Sequence, residues 1–223
     1  MTSWIGQRVD AVIFDNDGTL VDSEPLTLNL LTTMAVEAGA EVRSDDPQRF
    51  MGGDINLAID ALEQRSGITV DRDAFFTEFR ARQNDEIRKG LVEIEGASSL
   101  LDALSAHDVP FAVATNAPMT KMSLSLATSG LDRFFTSDRM VSAYDVGIWK
   151  PDPAVFLVAA ERLAIPIERC AIVEDSPPGI AAAIASGGHP IALGNHHGVS
   201  EESVTRVQSL DEIQRLLLPT EGR

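Results

Sequence analysis

An α/β fold is what the sequence predicts: a Rossmann-like parallel sheet core with an inserted α-helical cap domain. Three observations lead there. Short continuous apolar runs alternate with helical patterns of about ten residues, as in a parallel sheet buried on both faces. One long segment, from about residue 25 to residue 93, breaks that alternation with helical periodicity alone. The first apolar run also ends in two carboxylates one residue apart, Asp15 and Asp17, where open parallel sheets place their ligands.

Taken in order, "VDAVIF" at residues 9–14 is the first strand, a short apolar run without alternation. "VPFAVAT" (109–115), "RCAIVED" (169–175) and "HPIALG" (189–194) are runs of the same kind, and a shorter strand is expected around 139–143. Helical patterns over 97–106, 118–129, 153–163, 177–185 and 210–218 lie between and after them. Inside the interruption, "PLTLNLLTTMAVEAG" ends on a glycine stop, and "DINLAIDALEQRSG" has an Asp start and a glycine stop. "DRDAFFTEFRARQNDEIRKG" is a third helix, with Phe75, Phe76 and Phe79 on one face. The expected division is a core of residues 1–20 and 95–223 and a helical cap of 21–94, hinged near 21–24 and 93–96. The tail "PTEGR" is expected to fray.

At 223 residues and 44% hydrophobic, the chain can bury a full core plus a sizeable insertion. A formal charge of −16 without a compensating basic run argues against a nucleic-acid or anionic-membrane partner. It leaves open a local phosphate site, which needs only a few placed donors and a cation. Cys170 is the single cysteine, so no internal disulfide forms, and its place at a strand start suits a small buried hydrophobe. No run reaches membrane-spanning length, and the N-terminus lacks the pattern of a secretory signal. A cytoplasmic, soluble protein is expected, its oligomeric state undetermined.

Four segments put polar residues at strand ends or helix starts: "DNDGT", "TNAP", "WKPDP" and "EDSPPG". Each alone could be an Asx turn or a capping loop with proline in the first helical turn. Four together are hard to explain by capping. Asp15-Asn16-Asp17-Gly18-Thr19-Leu20-Val21-Asp22-Ser23, then Thr115, Lys150 and Glu174-Asp175, match in order the four motifs of the haloacid dehalogenase superfamily. The chain resembles the phosphotransferases of that superfamily with a helical cap after the first motif, over residues 9–218.

The resemblance implies a chemistry that these residue types suit. Asp15 would be the nucleophile, forming an aspartyl-phosphate and splitting one hard displacement into two. Asp17 would protonate the leaving alkoxide and then take a proton from the hydrolytic water. Mg²⁺ would be held by Asp15 and Asp175, the backbone carbonyl of Asp17, and Glu174 directly or through water. Lys150, Thr115 and Asn116 would neutralise and hydrogen-bond the phosphoryl oxygens. N–H groups around Asp17 and Gly18 would cradle the anion, with Gly18 allowing close backbone approach. Asp22 would order the hinge, and Pro151 and Pro153 would shape the turn behind Lys150.

Two branches of the resemblance compete. β-Phosphoglucomutases carry a histidine ten residues after the acid/base aspartate; here that position is Thr27, and no histidine occurs in residues 22–33. Hydrolysis of a small phosphorylated sugar, polyol or sugar acid is therefore the expected reaction, with phosphomutase as the alternative. "ATNAPMTKM" and "SAYDVGIWKPDPAVF", with Trp149 before the lysine, resemble the 6-phosphogluconate phosphatase group. Lys121 belongs to that signature and either faces the site or lies on a helix surface. Cap residues Arg49, Asp54 and Asn56 are candidates for substrate contact; Met51 and Asp54 stand where that group shows lysines, and Asp54 would repel a carboxylate. Arg43 or Arg49 would compensate. His196 and His197, adjacent in "GNHHG", are poorly placed to converge on a metal. From another class, a phosphoacceptor switch also combines acids, a hydroxyl and a lysine, but such domains are near half this length and lack a helical insertion.

Overall fold

The computed structural model describes residues 3–4, 7–46, 55–194 and 204–218. Its central strand, β1 (Ala11–Phe14), is buried throughout. β2 (Phe111–Thr115), β3 (Met140–Ser142), β4 (Cys170–Glu174), β5 (His189–Leu193) and β6 (Thr205–Val207) complete a six-stranded sheet in the order β3-β2-β1-β4-β5-β6. Every neighbouring pair is parallel. The strand order therefore reverses beside β1, which is where doubly wound sheets open a crevice at their carboxyl ends. The α/β, Rossmann-like class expected from the sequence is the one observed. Residues Ser3–Trp4 and Gln7–Arg8 form a small antiparallel pair outside this sheet.

The chain divides into two compact units, Met1–Asp22 with Val92–Arg223, and Ser23–Leu91. In the first, helices α4 (Ala97–Ala106), α5 (Met119–Ser129), α6 (Ala143–Val146), α7 (Ala154–Leu163), α8 (Pro177–Ser186) and α9 (Leu210–Leu217) alternate with the strands. Alternate strand residues Ala11, Ile13, Ala112, Ala114, Cys170 and Ile172 form one buried face with Val155, Phe156 and Ala159 of α7 and Ala182 and Ala183 of α8. Alanines on both layers let helix and sheet approach closely. Cys170 lies fully inside this layer, and burial pushes its thiol up to about 11.

The second unit contains α1 (Glu24–Glu37), α2 (Ile55–Ser66) and α3 (Arg72–Lys89). Leu30, Leu31 and Met34 of α1, Ala58 and Ile59 of α2, and Phe75 and Phe79 of α3 make its core. The Phe75 and Phe79 rings stack at 6.2 Å, and half-buried Phe76 meets Phe75 edge-on at 6.0 Å. α3 starts on Asp71, whose side chain accepts from the Ala74 N–H, and ends in Arg88 and Lys89 before Gly90, so both ends suit the helix dipole. Two differences from the sequence reading stand out. β6 was not expected, and α1 begins at Glu24, ahead of the proline that fits its first turn. Among the described residues no helix is long and apolar enough to cross a membrane.

Candidate active site

The site starts from strand register. The Asp15 N–H donates to Val173 O at 2.9 Å, carrying the β1–β4 pairing one step past Phe14 and Val173. That step sets Asp15 beside Glu174, and alternation puts both on the face of Ala11, Ile13, Cys170 and Ile172. Lys150, from the loop between α6 and α7, closes the group. Its Nζ donates to Asp15 Oδ1 at 2.6 Å, Glu174 Oε1 at 2.7 Å and Ala114 O at 2.9 Å. All three ammonium donors are thus committed. The ammonium also lies 4.6 Å from the centroid of the buried Phe156 ring, whose negative face favours a cation.

Small residues and hydroxyls hold the acids in place. Ser176 donates both its N–H and its hydroxyl to Glu174 Oε2, each at 2.9 Å. A Cβ on Gly179 would collide with the Glu174 carboxyl, so the first turn of α8 is open only because that residue is glycine. Thr19 Oγ1 donates to Asp175 Oδ1 at 2.9 Å. Gly18 sits at φ +83°, and a Cβ there would fall on the Asp175 carboxylate. Asp17 projects from the same turn and accepts from Lys121 Nζ at 2.7 Å. Sequence reasoning left Lys121 undecided between site and surface; it meets the second motif carboxylate.

Electrostatics follow from burial. Asp15 is pushed up to about 7, first by loss of hydration and then by the Glu174 and Asp17 charges, against the pull of Lys150. Asp175 is raised for the same reasons, burial first, then Glu174 and Asp15. Burial alone would lower Lys150; Asp15 and Glu174 outweigh it and raise it. Asp15, Glu174 and Asp175 each offer a carboxylate oxygen, all within 4.8 Å of one another. An all-oxygen donor set with raised acids fits a hard divalent cation such as Mg²⁺. Glu174 has both oxygens engaged, whereas Asp15 and Asp175 each keep one to offer.

The other sequence candidates separate. Thr115, buried at the end of β2, accepts the Ala117 N–H at 3.1 Å and keeps its hydroxyl proton to donate. The Asn116 side chain does not face a ligand: Oδ1 accepts the Lys150 N–H at 2.9 Å and Nδ2 donates to Lys150 O at 3.5 Å. It clamps the lysine loop to the end of β2. The Gly18 N–H is also spent, on Val21 O at 2.8 Å, so Gly18 contributes room and not a donor. Thr19 was matched within the first motif but not paired with Asp175, and Ser176 was missed because a hydroxyl in a turn looks like a cap. Asn56 lies exposed on α2. Arg49, Met51, Asp54, His196 and His197 lie outside the described residues.

The chain is similar to known proteins. The family model for haloacid dehalogenase-like hydrolases matches residues 12–193. A 6-phosphogluconate phosphatase of Escherichia coli is 35% identical over 181 residues, covering 81% of this chain and 80% of that one. A phosphorylated carbohydrates phosphatase of Thermotoga maritima is 29% identical, covering 80% and 82%. Among solved structures, a HAD family hydrolase of Deinococcus radiodurans with bound phosphate and sodium superposes with a TM-score of 0.73 at 28% identity, covering 95% of this chain and 99% of that one. With the matched model running from within β1 to the end of β5, the chain belongs to the haloacid dehalogenase-like hydrolase family.

Proposed function

We propose that the protein is a divalent-metal-dependent phosphomonoesterase that hydrolyses a small phosphorylated sugar, polyol or sugar acid through an aspartyl-phosphate on Asp15. The observation that carries this reading is the packing of Asp15 against Lys150 and two further carboxyls at the carboxyl end of the central strand. A free Asp15 oxygen attacks phosphorus, and the bond from phosphorus to the ester oxygen breaks. Asp17 gives its proton to that oxygen, releasing the alcohol. Asp17 then takes a proton from water as the water attacks phosphorus, and Asp15 leaves as a carboxylate with inorganic phosphate. Asp15, Asp175 and the Asp17 carbonyl would hold Mg²⁺, with Glu174 behind them, and the cation would supply neutralisation of phosphoryl charge. Thr115 donates its hydroxyl to a phosphoryl oxygen.

Substrate selection is assigned to the helical unit, through Arg49, Asp54 and Asn56. Hydrolysis is favoured over phosphoryl shuttling between two substrate positions by Thr27. The residue replaces the mutase histidine and accepts from the buried Gln83 Nε2 at 3.0 Å. The deciding experiment is a phosphate-release screen over sugar, sugar-acid, polyol and glycolate phosphates with Mg²⁺, with Asp15→Asn beside the wild type. Turnover that survives Asp15→Asn would sink the nucleophile assignment. Conversion of glucose 1-phosphate to glucose 6-phosphate faster than phosphate appears would make it a mutase.

A further inference from the structure

Two lysines touch the acids of this site, and they are not equivalent. Lys150 spends its three donors on Asp15, Glu174 and Ala114 O. Lys121 spends one, on Asp17 Oδ1 at 2.7 Å, and keeps two. Its side chain retains 14% exposure where that of Lys150 retains 3%, so a ligand can reach it. Its place in the chain is unfavourable on its own: the third residue of α5, in a first turn that carries no acidic residue, puts an ammonium against the positive end of the helix. A lysine that only solvated a helix would sit better at the other end.

Asp17 is the group that hands a proton to the ester oxygen in the reaction proposed above, on which this inference rests. A cation bonded to the Asp17 carboxyl therefore stands one carboxyl group away from that oxygen, on the side of the departing alcohol. We infer that Lys121 is a specificity-determining residue for the leaving group. Its two remaining N–H donors bind an acceptor oxygen on the carbon next to the esterified one. The substrate class selected is the vicinally oxygenated phosphate ester, with a hydroxyl or a carboxylate at that position, over a plain alkyl ester. An ammonium donor left without its acceptor in a desolvated site is what makes such discrimination large.

Glycerol 1-phosphate against propyl phosphate, and 2-phosphoglycolate against ethyl phosphate, test this as matched pairs, with kcat/KM measured for wild type, Lys121→Met and Lys121→Arg. The wild type should favour the oxygenated member of at least one pair by about 10- to 100-fold, as a charge-assisted hydrogen bond provides. Lys121→Met should slow both members of a pair through the loss of the Asp17 contact, but the oxygenated member by the larger factor, so that the ratio is erased, and Lys121→Arg should recover part of it. An equal fall on both members would make Lys121 an aid to Asp17 alone and overturn the inference. So would a wild type that hydrolyses p-nitrophenyl phosphate but treats each pair alike. A wild type inert toward every ester, p-nitrophenyl phosphate included, would overturn the phosphatase reading itself, and this inference with it.

Discussion

Lys150 Nζ lies 2.6 Å from Asp15 Oδ1 and 2.7 Å from Glu174 Oε1, so one buried cation binds the ends of two adjacent parallel strands. Replacing it with methionine leaves two buried carboxyls facing each other. Breaking such a group by removing one partner costs about 3–5 kcal/mol. Lys150→Met should therefore lower the unfolding free energy by about that much in metal-free protein and abolish phosphate release. Lys150→Arg should not restore activity, because a planar guanidinium cannot point at three acceptors arranged around a tetrahedral ammonium. Denaturant unfolding and a phosphate-release assay check both; a methionine variant as stable as wild type would contradict the pairing.

Asp15 gives the site a pH dependence of defined sign. Its pKa in the folded, metal-free protein is raised to about 7 from the ordinary carboxyl value. The raised group contributes stability that is fully present below its unfolded pKa and is lost as pH rises toward 7. A divalent cation needs the ionised carboxylate, so binding expels the proton wherever it is still held. Mg²⁺ added at pH 6 should release protons into a weakly buffered solution and bind more weakly than at pH 8, where less of the proton is left to expel. Titration calorimetry in two buffers of different ionisation enthalpy reads this directly. Equal affinity at both pH values, with no proton released at pH 6, would be inconsistent with a protonated Asp15.

Gly18 combines a left-handed backbone with a close neighbour, and either feature resists a side chain. At φ +83° an L residue is strained by about 1–2 kcal/mol. A methyl group there also drives into the Asp175 carboxylate, which Thr19 holds by its own hydrogen bond. Gly18→Ala should fold with a modest loss of stability yet bind Mg²⁺ at least about tenfold more weakly, as displaced metal-site partners do. Mg²⁺ titration of the folded variant checks it, and unaltered affinity would show that Asp175 can move at no cost.

Much of this site was legible because its chemistry breaks local rules. An apolar run that ends in Asp15 and Asp17 has no structural use for both charges, and Lys150 lies in a proline-rich loop where a lone lysine draws attention. β1, β2, β4 and β5 are buried on both faces, so their apolar runs are continuous and easy to read. β6 is three residues with an exposed Arg206 and one buried side chain, Val207, too short for any pattern. The supporting shell was hidden for another reason. Asn116 clamps Lys150 across 34 positions of chain, and Thr19 reaches Asp175 across 156. Those pairings depend on how the loops after β1, β2, α6 and β4 come together, which no local spacing encodes.

The helical unit rests on an ion pair that the sequence did not mark. Asp46 is buried, accepts the Arg43 N–H at 2.8 Å, and is gripped by both terminal nitrogens of Arg65, one of them at 3.0 Å. Arg65 also donates its Nε to Glu41 O at 3.0 Å, so one side chain ties residues 41–46 to the end of α2. The Arg65 hydrogen bonds hold the Asp46 carboxyl below its ordinary range. A depressed carboxyl contributes stability that is present above its unfolded pKa and lost as pH falls through the folded one. Asp46→Ala should thus weaken the unit at neutral pH, since it leaves the Arg65 guanidinium without its carboxylate. The difference from wild type should begin to shrink only as pH falls below about 4, the ordinary carboxyl value, and should be lost as pH passes through the depressed value of the folded protein. Hydrogen exchange of the α2 amides at neutral pH and at the lowest pH where the fold persists reads the local opening free energy. If the variant protects α2 as well as the wild type at pH 7, the pair is not what fastens residues 41–46.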